Sequence, residues 1–286
     1  MVDAKPPTVV ILTALPLEHE AVLTRLTDLE PLVHETGTRA KIGPLASTPW
    51  QVALVQMGEK AVNAAVLTER IITWLRPQAL LFVGVAGSLK KDVRLGDVVI
   101  ATKVYAYHGG KQTLEGFLAR PDSWPVSHRL EQAAFDALGT SAHFKPIAAG
   151  DVVLDDAASE LAEHIRTNYN DAVAIEMEGN GVAHAAHLSG RLDAVVIRGI
   201  SDLANGRKGR ADASGSQLRA AANAADAALA VLRKLQPVAT ATSVPAPAEA
   251  ELPARYGGDH YDHRHNVNYG PVTGKIVNNY PAPKQP

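Results

Sequence analysis

The stretch AIEMEGNGVAHAAHLSGRLDAVVIRGISDLAN, residues 174–205, decides the fold because it places acids at the ends of two apolar runs. The first run leads into Glu176 and Glu178, and the second run, 194–200, leads into Asp202. The Ala- and His-rich segment between them has helical character, so the stretch predicts a β-α-β unit. Ligands of open α/β sheets bind at the carboxyl edge of the strands. We therefore expect the functional site beside these three acids.

Strand-like and helix-like segments alternate along the chain on either side of this unit. The predicted strands are continuously apolar, which is typical of a mostly parallel sheet covered by helices on both faces. The sequence therefore predicts an α/β protein with three α/β/α layers around a central mixed, mostly parallel sheet. Predicted strands cover 8–14, 41–47, 51–56, 79–83, 97–107, 147–154, 172–175 and 194–200, and predicted helices cover the segment from Pro16, 61–75, 129–138, 157–166 and 209–235.

Composition excludes several classes of function. The formal net charge of −2 gives no general attraction to nucleic acid or to anionic membranes. The chain has no cysteine, which excludes a disulfide framework, a thiolate zinc site and a cysteine nucleophile. The apolar run 9–15 is too short to span a bilayer and leads into acids, so it predicts a first strand rather than a signal peptide. We expect a cytoplasmic protein with neither nucleic acid nor a membrane as partner.

The composition changes after Leu235 and predicts three parts. Residues 1–235 form the enzyme-like domain, 236–255 form a Pro/Ala-rich linker, and 256–286 form a flexible tail rich in Gly, Asn, His and Tyr. Within the tail, 266–280 combines β-branched residues, Asn and Tyr with a single charge, a composition that favours stacked cross-β assembly. Pro271 opposes a regular ladder, so an amyloid-type signalling motif and a merely disordered tail both remain open.

Six short motifs, in chain order, carry a resemblance to a known family. The first 235 residues resemble the nucleoside phosphorylase/nucleosidase superfamily, nearest to the methylthioadenosine/S-adenosylhomocysteine nucleosidases. This resemblance implies hydrolysis of an N-glycosidic bond through a ribosyl-cation-like transition state, with no cofactor and no metal. The motifs are ALPLEHE at 14–20, VGVAGS at 83–88, LGDVV at 95–99, AGD at 149–151, IEME at 175–178 and RGISD at 198–202.

The resemblance implies two catalytic carboxyl groups. Asp202 matches the acid that protonates adenine N7, which requires a carboxyl that retains its proton near neutral pH. Ser201 is expected to orient Asp202. Glu20 matches the carboxylate that activates water, and Glu18, two positions away, competes for this role.

The sugar and base contacts follow from the same resemblance. Glu178 matches the carboxylate that binds the ribose 2′- and 3′-hydroxyls, and Met177 matches the residue beneath the ribose. Glu176 has the weaker claim, because it points to the opposite side of an extended segment. Ala86 and Gly87 belong to a small-residue turn that allows close backbone approach. The relatives carry an aromatic residue that stacks on adenine where this chain has Val152-Val153-Leu154, and Val153 is the expected contact.

Water and phosphate are the two nucleophiles used in this superfamily. A phosphorylase needs arginines around phosphate, whereas Leu17-Glu18-His19-Glu20 after the first strand is acidic. The sequence therefore favours hydrolysis over phosphorolysis.

Three cations, Arg207, Lys208 and Arg210, follow Asp202 within a short loop. A cationic loop suits the phosphates of an adenine nucleotide such as ATP, which a thioether nucleoside does not carry. The loop resembles that of the subgroup used as effector domains in bacterial and fungal immune-type proteins. In this interpretation the tail recruits the enzyme to an NLR-like sensor protein or drives its assembly, and a homo-oligomer is expected. A merely solvated loop, a housekeeping thioether nucleosidase and a catalytically silent nucleotide-binding module are the alternatives.

Overall fold

Apolar segments of the chain form one large mixed sheet. The computed structural model describes residues 6–190, 192–206, 208–238, 261–262 and 267–268. The sheet contains β1 (Thr8–Thr13), β2 (Glu30–Val33), β3 (Arg39–Pro44), β4 (Gln51–Gln56), β5 (Ala79–Ser88), β6 (Val98–Ala106), β9 (Asp122–Pro125), β10 (His143–Ala149), β11 (Ala174–Glu176) and β12 (Asp193–Asp202), and β7 (Gly110–Thr113) and β8 (Gly116–Ala119) form a separate hairpin.

Helices cover both faces of this sheet, and apolar side chains fill the two interfaces. The first face carries α1 (Pro16–Leu23), α3 (His128–Leu138) and α7 (Ser216–Lys234), and the second carries α2 (Ala61–Leu75) and α5 (Gly179–Leu188). A third apolar cluster lies beneath α4 (Glu160–Asn168), and α6 (Lys208–Ala213) precedes α7. The predicted three-layer α/β/α fold is confirmed.

The strand order is β11-β10-β6-β12-β5-β1-β4-β3-β2, and β9 pairs with β6. Pairs of β1 with β4 and β5, of β12 with β5, and of β10 with β6 and β11 are parallel. The β12–β6, β3–β4 and β2–β3 pairs are antiparallel. The sheet is therefore mixed and mostly parallel at its centre, as predicted.

The sheet closes on itself where the acids lie. Besides its parallel pairing with β10, β11 pairs antiparallel with β5, so that Ile175 lies opposite Gly87. A register shift at Ser201 places Asp202 opposite the same Gly87 from the other side. Such irregularities re-aim side chains beside functional sites. As a result, two strand ends far apart in sequence meet at one glycine.

Several predicted elements differ from the structure. Residues 84–88, predicted as a turn, continue β5 because β11 and β12 pair with both sides of them. The predicted helix 209–235 is divided into α6 and α7, with Gly215 between them at a φ of 76°. The strands β2 and β7–β9 have four residues each and no buried position, too short for a clear apolar pattern, so the sequence did not predict them.

The chain divides into two units, Met1–Val238 and Ala239–Pro286. In the second unit, Tyr261–Asp262 (β13) pairs with Val267–Asn268 (β14). Residues 239–255 of the predicted linker, and the rest of the predicted cross-β segment, lie outside the described residues. No helix in the described ranges is both long enough and apolar enough to cross a membrane.

Candidate functional site

A pocket of about 190 Å³ opens at the carboxyl ends of β1, β5, β11 and β12. Five of its lining residues are carboxylates, Glu18, Glu59, Glu176, Glu178 and Asp202, and no lysine or arginine lines it among the residues whose side chains the structure describes. The other lining residues are Ala14, Leu15, Val85, Ala86, Gly87, Val152, Val153, Leu154, Ile175, Met177, Ser201 and Gln217. The pocket is therefore strongly acidic.

Asp202 is buried at the end of β12, and its carboxylate accepts from Ala204 and Ser201 among the described residues. Its Oδ1 accepts from the Ala204 backbone N–H over 3.0 Å, and its Oδ2 accepts from the Ser201 hydroxyl over 3.1 Å. The Ser201 hydroxyl also lies 3.3 Å from the carbonyl oxygen of Ala86. The contact expected between Ser201 and Asp202 is present.

The structure does not bring Glu20, the predicted water-activating acid, into the lining of this pocket. Glu20 is exposed on α1 and does not line the pocket, whereas Glu18, its competitor, is 3% exposed and does. The reason is the start of the helix: with Pro16 as the first helical residue, Glu18 occupies the third position and turns back over the helix N-terminus. Glu20, two residues further along the helix, faces outward instead.

Three backbone N–H groups hold the Glu18 carboxylate. Its Oε2 accepts from Ala14 and Leu15 over 2.9 Å each, and its Oε1 accepts from Val85 over 2.8 Å. Burial raises the pKa of the Glu18 carboxyl, and the positive charge of Arg198 and the N–H donors oppose this increase. Glu18 thus joins the first strand to β5 at the pocket wall.

Arg198 and Glu176 form a buried ion pair behind the pocket. The Nη2 atom of Arg198 donates to Oε2 of Glu176 over 2.5 Å, and the Arg198 guanidinium lies 3.9 Å from the centre of the Phe82 ring. Glu176 also accepts from the backbone N–H groups of Glu178 and Gly179 at the start of α5. Glu176 therefore lines the pocket, but its carboxylate is bound to Arg198 and to the start of α5.

Met177 and Glu178 line the pocket directly after the end of β11. Glu178 is buried, and its Oε1 accepts from the Lys60 backbone N–H over 3.0 Å. Burial raises the pKa of the Glu178 carboxyl to about 7, and the negative charge of Glu176 adds to the increase. Lys60 has a φ of 87°, a value that side-chain-bearing residues rarely adopt.

The glycines of β5 make room for the acids of the protein itself. A Cβ on Gly84 would lie 2.0 Å from Nη1 of Arg198 and 2.3 Å from Oε1 of Glu18. A Cβ on Gly87 would lie 2.8 Å from Oδ1 of Asp202. The small-residue segment that the sequence singled out therefore leaves space for these buried side chains of the protein. Ala86 and Gly87 of this segment also line the pocket.

Val152, Val153 and Leu154 line the pocket where the relatives carry an aromatic residue. Val153 is 56% exposed, whereas Leu154 is buried.

Of the three loop cations, Lys208 and Arg210 belong to α6, directly after the described turn 203–206, and Arg207 lies outside the described residues. No group of three or more His, Asp or Glu side chains in the described part of the chain is arranged to hold a metal ion.

Sequence reasoning missed Arg198 as a site residue, although a signal was present. Arg198 interrupts an otherwise apolar buried strand, and a charge in that position requires a partner. Glu59 also went unnoticed, although it follows the Met57-Gly58 end of β4.

Relatives of this chain are nucleosidases. It is 30% identical over 164 residues to the 5′-methylthioadenosine/S-adenosylhomocysteine nucleosidase of Staphylococcus carnosus, a match over 54% of this chain and 70% of that protein. It is 29% identical over 263 residues to the ATP nucleosidase Cap17 of Escherichia coli, a match over 77% of this chain and 50% of that protein. A solved structure of the Neisseria meningitidis 5′-methylthioadenosine/S-adenosylhomocysteine nucleosidase with methylthio-immucillin-A matches with a TM-score of 0.69 and 26% identity, over 80% of this chain and 99% of that one.

The fold, the acidic pocket and these relatives define an N-glycosyl hydrolase of the nucleosidase type. The sequence model of the family described as the phosphorylase superfamily matches residues 8–236. The chain belongs to this superfamily.

Proposed function

We propose that the protein hydrolyses the N-glycosidic bond of an adenine nucleotide and releases adenine. The acidic pocket is the observation that carries the reaction type. Breaking the bond develops positive charge on the ribose, and carboxylates arranged in advance stabilise that charge more than they stabilise the neutral sugar of the substrate. Five lining carboxylates, with no lysine or arginine among the described side chains of the lining, meet this need.

The roles of the carboxylates follow from their surroundings. Asp202, oriented by Ser201 and Ala204, faces the leaving base and supplies a proton to it. Glu18 activates the attacking water, because its buried carboxyl has a raised pKa and is fixed by three backbone donors. Glu178 accepts from the ribose hydroxyls, and Met177 packs below the sugar ring.

Water rather than phosphate is the nucleophile in this proposal. Inorganic phosphate would have to enter a pocket whose described lining carries five carboxylates, and like charges in a poorly solvated site repel strongly. Arg198, which lies behind the pocket, is already paired with Glu176.

The nucleotide preference is supported by the likeness to the ATP nucleosidase Cap17. The loop 207–210 follows Asp202 at the base end, so it does not carry this preference. The phosphates cannot lie among the acids, so they leave the pocket at the sugar end. Lys60, exposed beside Glu178, is the described cation at that end. A thioether nucleoside is the second candidate. Its uncharged 5′ group would not be repelled by the Glu59 carboxylate in the pocket lining, and other relatives are thioether nucleosidases.

Incubation with ATP, AMP, adenosine, methylthioadenosine and S-adenosylhomocysteine, with detection of free adenine, tests the substrate. We expect the highest kcat/KM for ATP, and higher values for the thioethers would overturn the nucleotide preference. Ribose 1-phosphate formation in phosphate buffer would overturn hydrolysis. Asp202→Asn serves as the inactive control.

The C-terminal tail belongs to a second part of this proposal, a role as an immune-type effector in the cytoplasm. Its basis is the composition of 266–280 and the likeness of the domain to Cap17. A peptide of residues 256–286 is expected to form thioflavin-positive fibres. A peptide that stays monomeric at high concentration contradicts recruitment by cross-β assembly.

A further inference from the structure

A second and larger cavity, of about 730 Å³, lies beside the acidic pocket. It is bounded by the segment after β5, by α4 and the residues that follow it, and by the turn after β12. We propose that this cavity is a regulatory site for a phosphorylated, nucleotide-like small molecule. No role in the proposed reaction accounts for it.

The charge of this cavity is opposite to that of the pocket. Lys90, Lys91, Arg94 and Arg166 line it, and no Asp or Glu lines it in the described part of the chain. Lys90 donates to the Asn170 carbonyl oxygen, and Arg166 pairs with Glu163. Electrostatic attraction would therefore concentrate anions here and cations in the neighbouring pocket.

Two of the four cations are available to a ligand. The side chains of Lys91 and Arg94 are exposed and make neither an ion pair nor a hydrogen bond to any other described residue. Arg94 is anchored through its backbone N–H, which donates to Asp97. A guanidinium beside an ammonium group is a suitable pair for phosphate oxygens.

The inner wall of the cavity is apolar, so a free inorganic anion would leave this part of the lining without a contact. Leu89, Val93, Leu154 and Ile165 face the cavity, and Tyr169 adds an aromatic ring. A volume of this size falls in the range of sites for drug-sized ligands. An anionic head group with a flat or apolar body, as in a nucleotide, matches both the rim and the wall.

The larger cavity is not the phosphate end of the pocket. The two share Leu154, and Ala204, which lines the cavity, donates its backbone N–H to Asp202, whereas neither Glu178 nor Lys60 lines the cavity. With the base at Asp202 and the sugar at Glu178, the sugar contacts are residues that do not line this cavity. A ligand bound here is therefore distinct from the substrate.

Ala204 connects the two sites. It lines the larger cavity, its backbone N–H donates to Oδ1 of Asp202, and its φ of 46° lies in the left-handed region. Such a conformation is held by its surroundings rather than by intrinsic preference. A ligand packed against Ala204 changes those surroundings, and hence the position of the acid that protonates the base.

Uridine triphosphate is the probe, because it carries phosphates and a flat base but no purine N7 for Asp202 to protonate. Binding to the full chain is measured by calorimetry, and adenine release from methylthioadenosine or ATP is measured with and without the probe. We expect saturable binding that weakens about tenfold or more in Lys91→Gln/Arg94→Gln. We also expect a changed kcat/KM on saturation, and basal activity that is unchanged in this variant.

Arg39→Gln/Lys145→Gln is the matched control, since it removes one arginine and one lysine that are exposed and line neither site. Equal binding by both double variants, or no binding at millimolar probe, overturns the proposal. So does a Lys91→Gln/Arg94→Gln enzyme whose only change is a higher KM for ATP, since the cavity would then serve the substrate. The binding measurement does not depend on the proposed reaction and remains decisive if no adenine is released.

Discussion

Arg198 on β12 and Glu176 at the end of β11, 22 residues apart, form an ion pair with side chains only 1% and 2% exposed. Arg198 also lies against Glu18, so a single guanidinium compensates two buried carboxylates. The positive charge of Arg198 therefore offsets part of the cost of burying these carboxylates beside the pocket.

Arg198→Met tests that dependence. Removing one partner of a buried pair leaves an uncompensated charge, and we expect a loss of about 3 to 5 kcal/mol in the free energy of unfolding, measured with urea. The double variant Arg198→Met/Glu176→Gln should recover part of this loss. A single variant that loses less than about 1 kcal/mol would show that the pair is not a structural requirement.

Replacing Glu18 and Glu20 in turn tests which acid activates water. Glu18→Gln should lower kcat for adenine release about 100-fold or more, because general-base catalysis contributes on this scale. Glu20→Gln, a matched control on the same helix, should stay within about twofold of the parent because Glu20 is exposed outside the pocket. The reverse ranking would restore the assignment made from sequence.

Gly84→Ala tests the close approach on β5. The added methyl would meet Glu18 and Arg198 at distances that atoms cannot tolerate, so both stability and activity should fall. Gly209→Ala is the control, since a Cβ there meets nothing within 4 Å and Gly209 has no left-handed backbone. Thermal unfolding and adenine release measured on both variants separate the two cases, and a Gly84→Ala protein with normal values contradicts the packing argument.

The fold was largely predictable from sequence, because continuous apolar runs and helical periodicity are local signals. The meeting of Ile175 and Asp202 at Gly87 was not, since it depends on β11 pairing with β5, a contact between distant segments. The choice between Glu18 and Glu20 had a local signal in Pro16, which fixes the start of α1. Resemblance of short motifs identified the segment correctly but not which of its two acids turns inward.

Lys60→Gln tests where the substrate phosphates lie. Because Lys60 is exposed beside Glu178 at the sugar end, its loss should raise KM for ATP about fivefold to tenfold and leave KM for methylthioadenosine unchanged. The backbone N–H that holds Glu178 is retained in this variant. Lys145→Gln, an exposed cation far from the pocket lining, is the control. An equal change for both substrates would mean that Lys60 acts on the sugar contact rather than on phosphate.

The raised pKa of Glu178 predicts opposite effects of pH on activity and on stability. For activity, the ionised carboxylate accepts from the ribose hydroxyls, so kcat/KM should increase as pH rises through about 7, the pKa of this group. Glu178→Gln should lower kcat/KM and remove this limb of the profile. Glu20→Gln, a control for the loss of one exposed carboxylate, should retain the limb.

For stability, the folded-state pKa of Glu178 lies above the ordinary glutamate value of 4.5, so the folded protein binds the proton more tightly than the unfolded chain does. The stability contributed by this group is therefore fully present below pH 4.5 and is lost as pH rises through about 7. The loss amounts to at most about 3 kcal/mol. Glu178→Gln carries no such charge, so its free energy of unfolding should increase relative to that of the parent between pH 5 and about pH 8 in urea titrations. A difference that is constant with pH would mean that Glu178 does not titrate in this range, and the activity profile would then need another group.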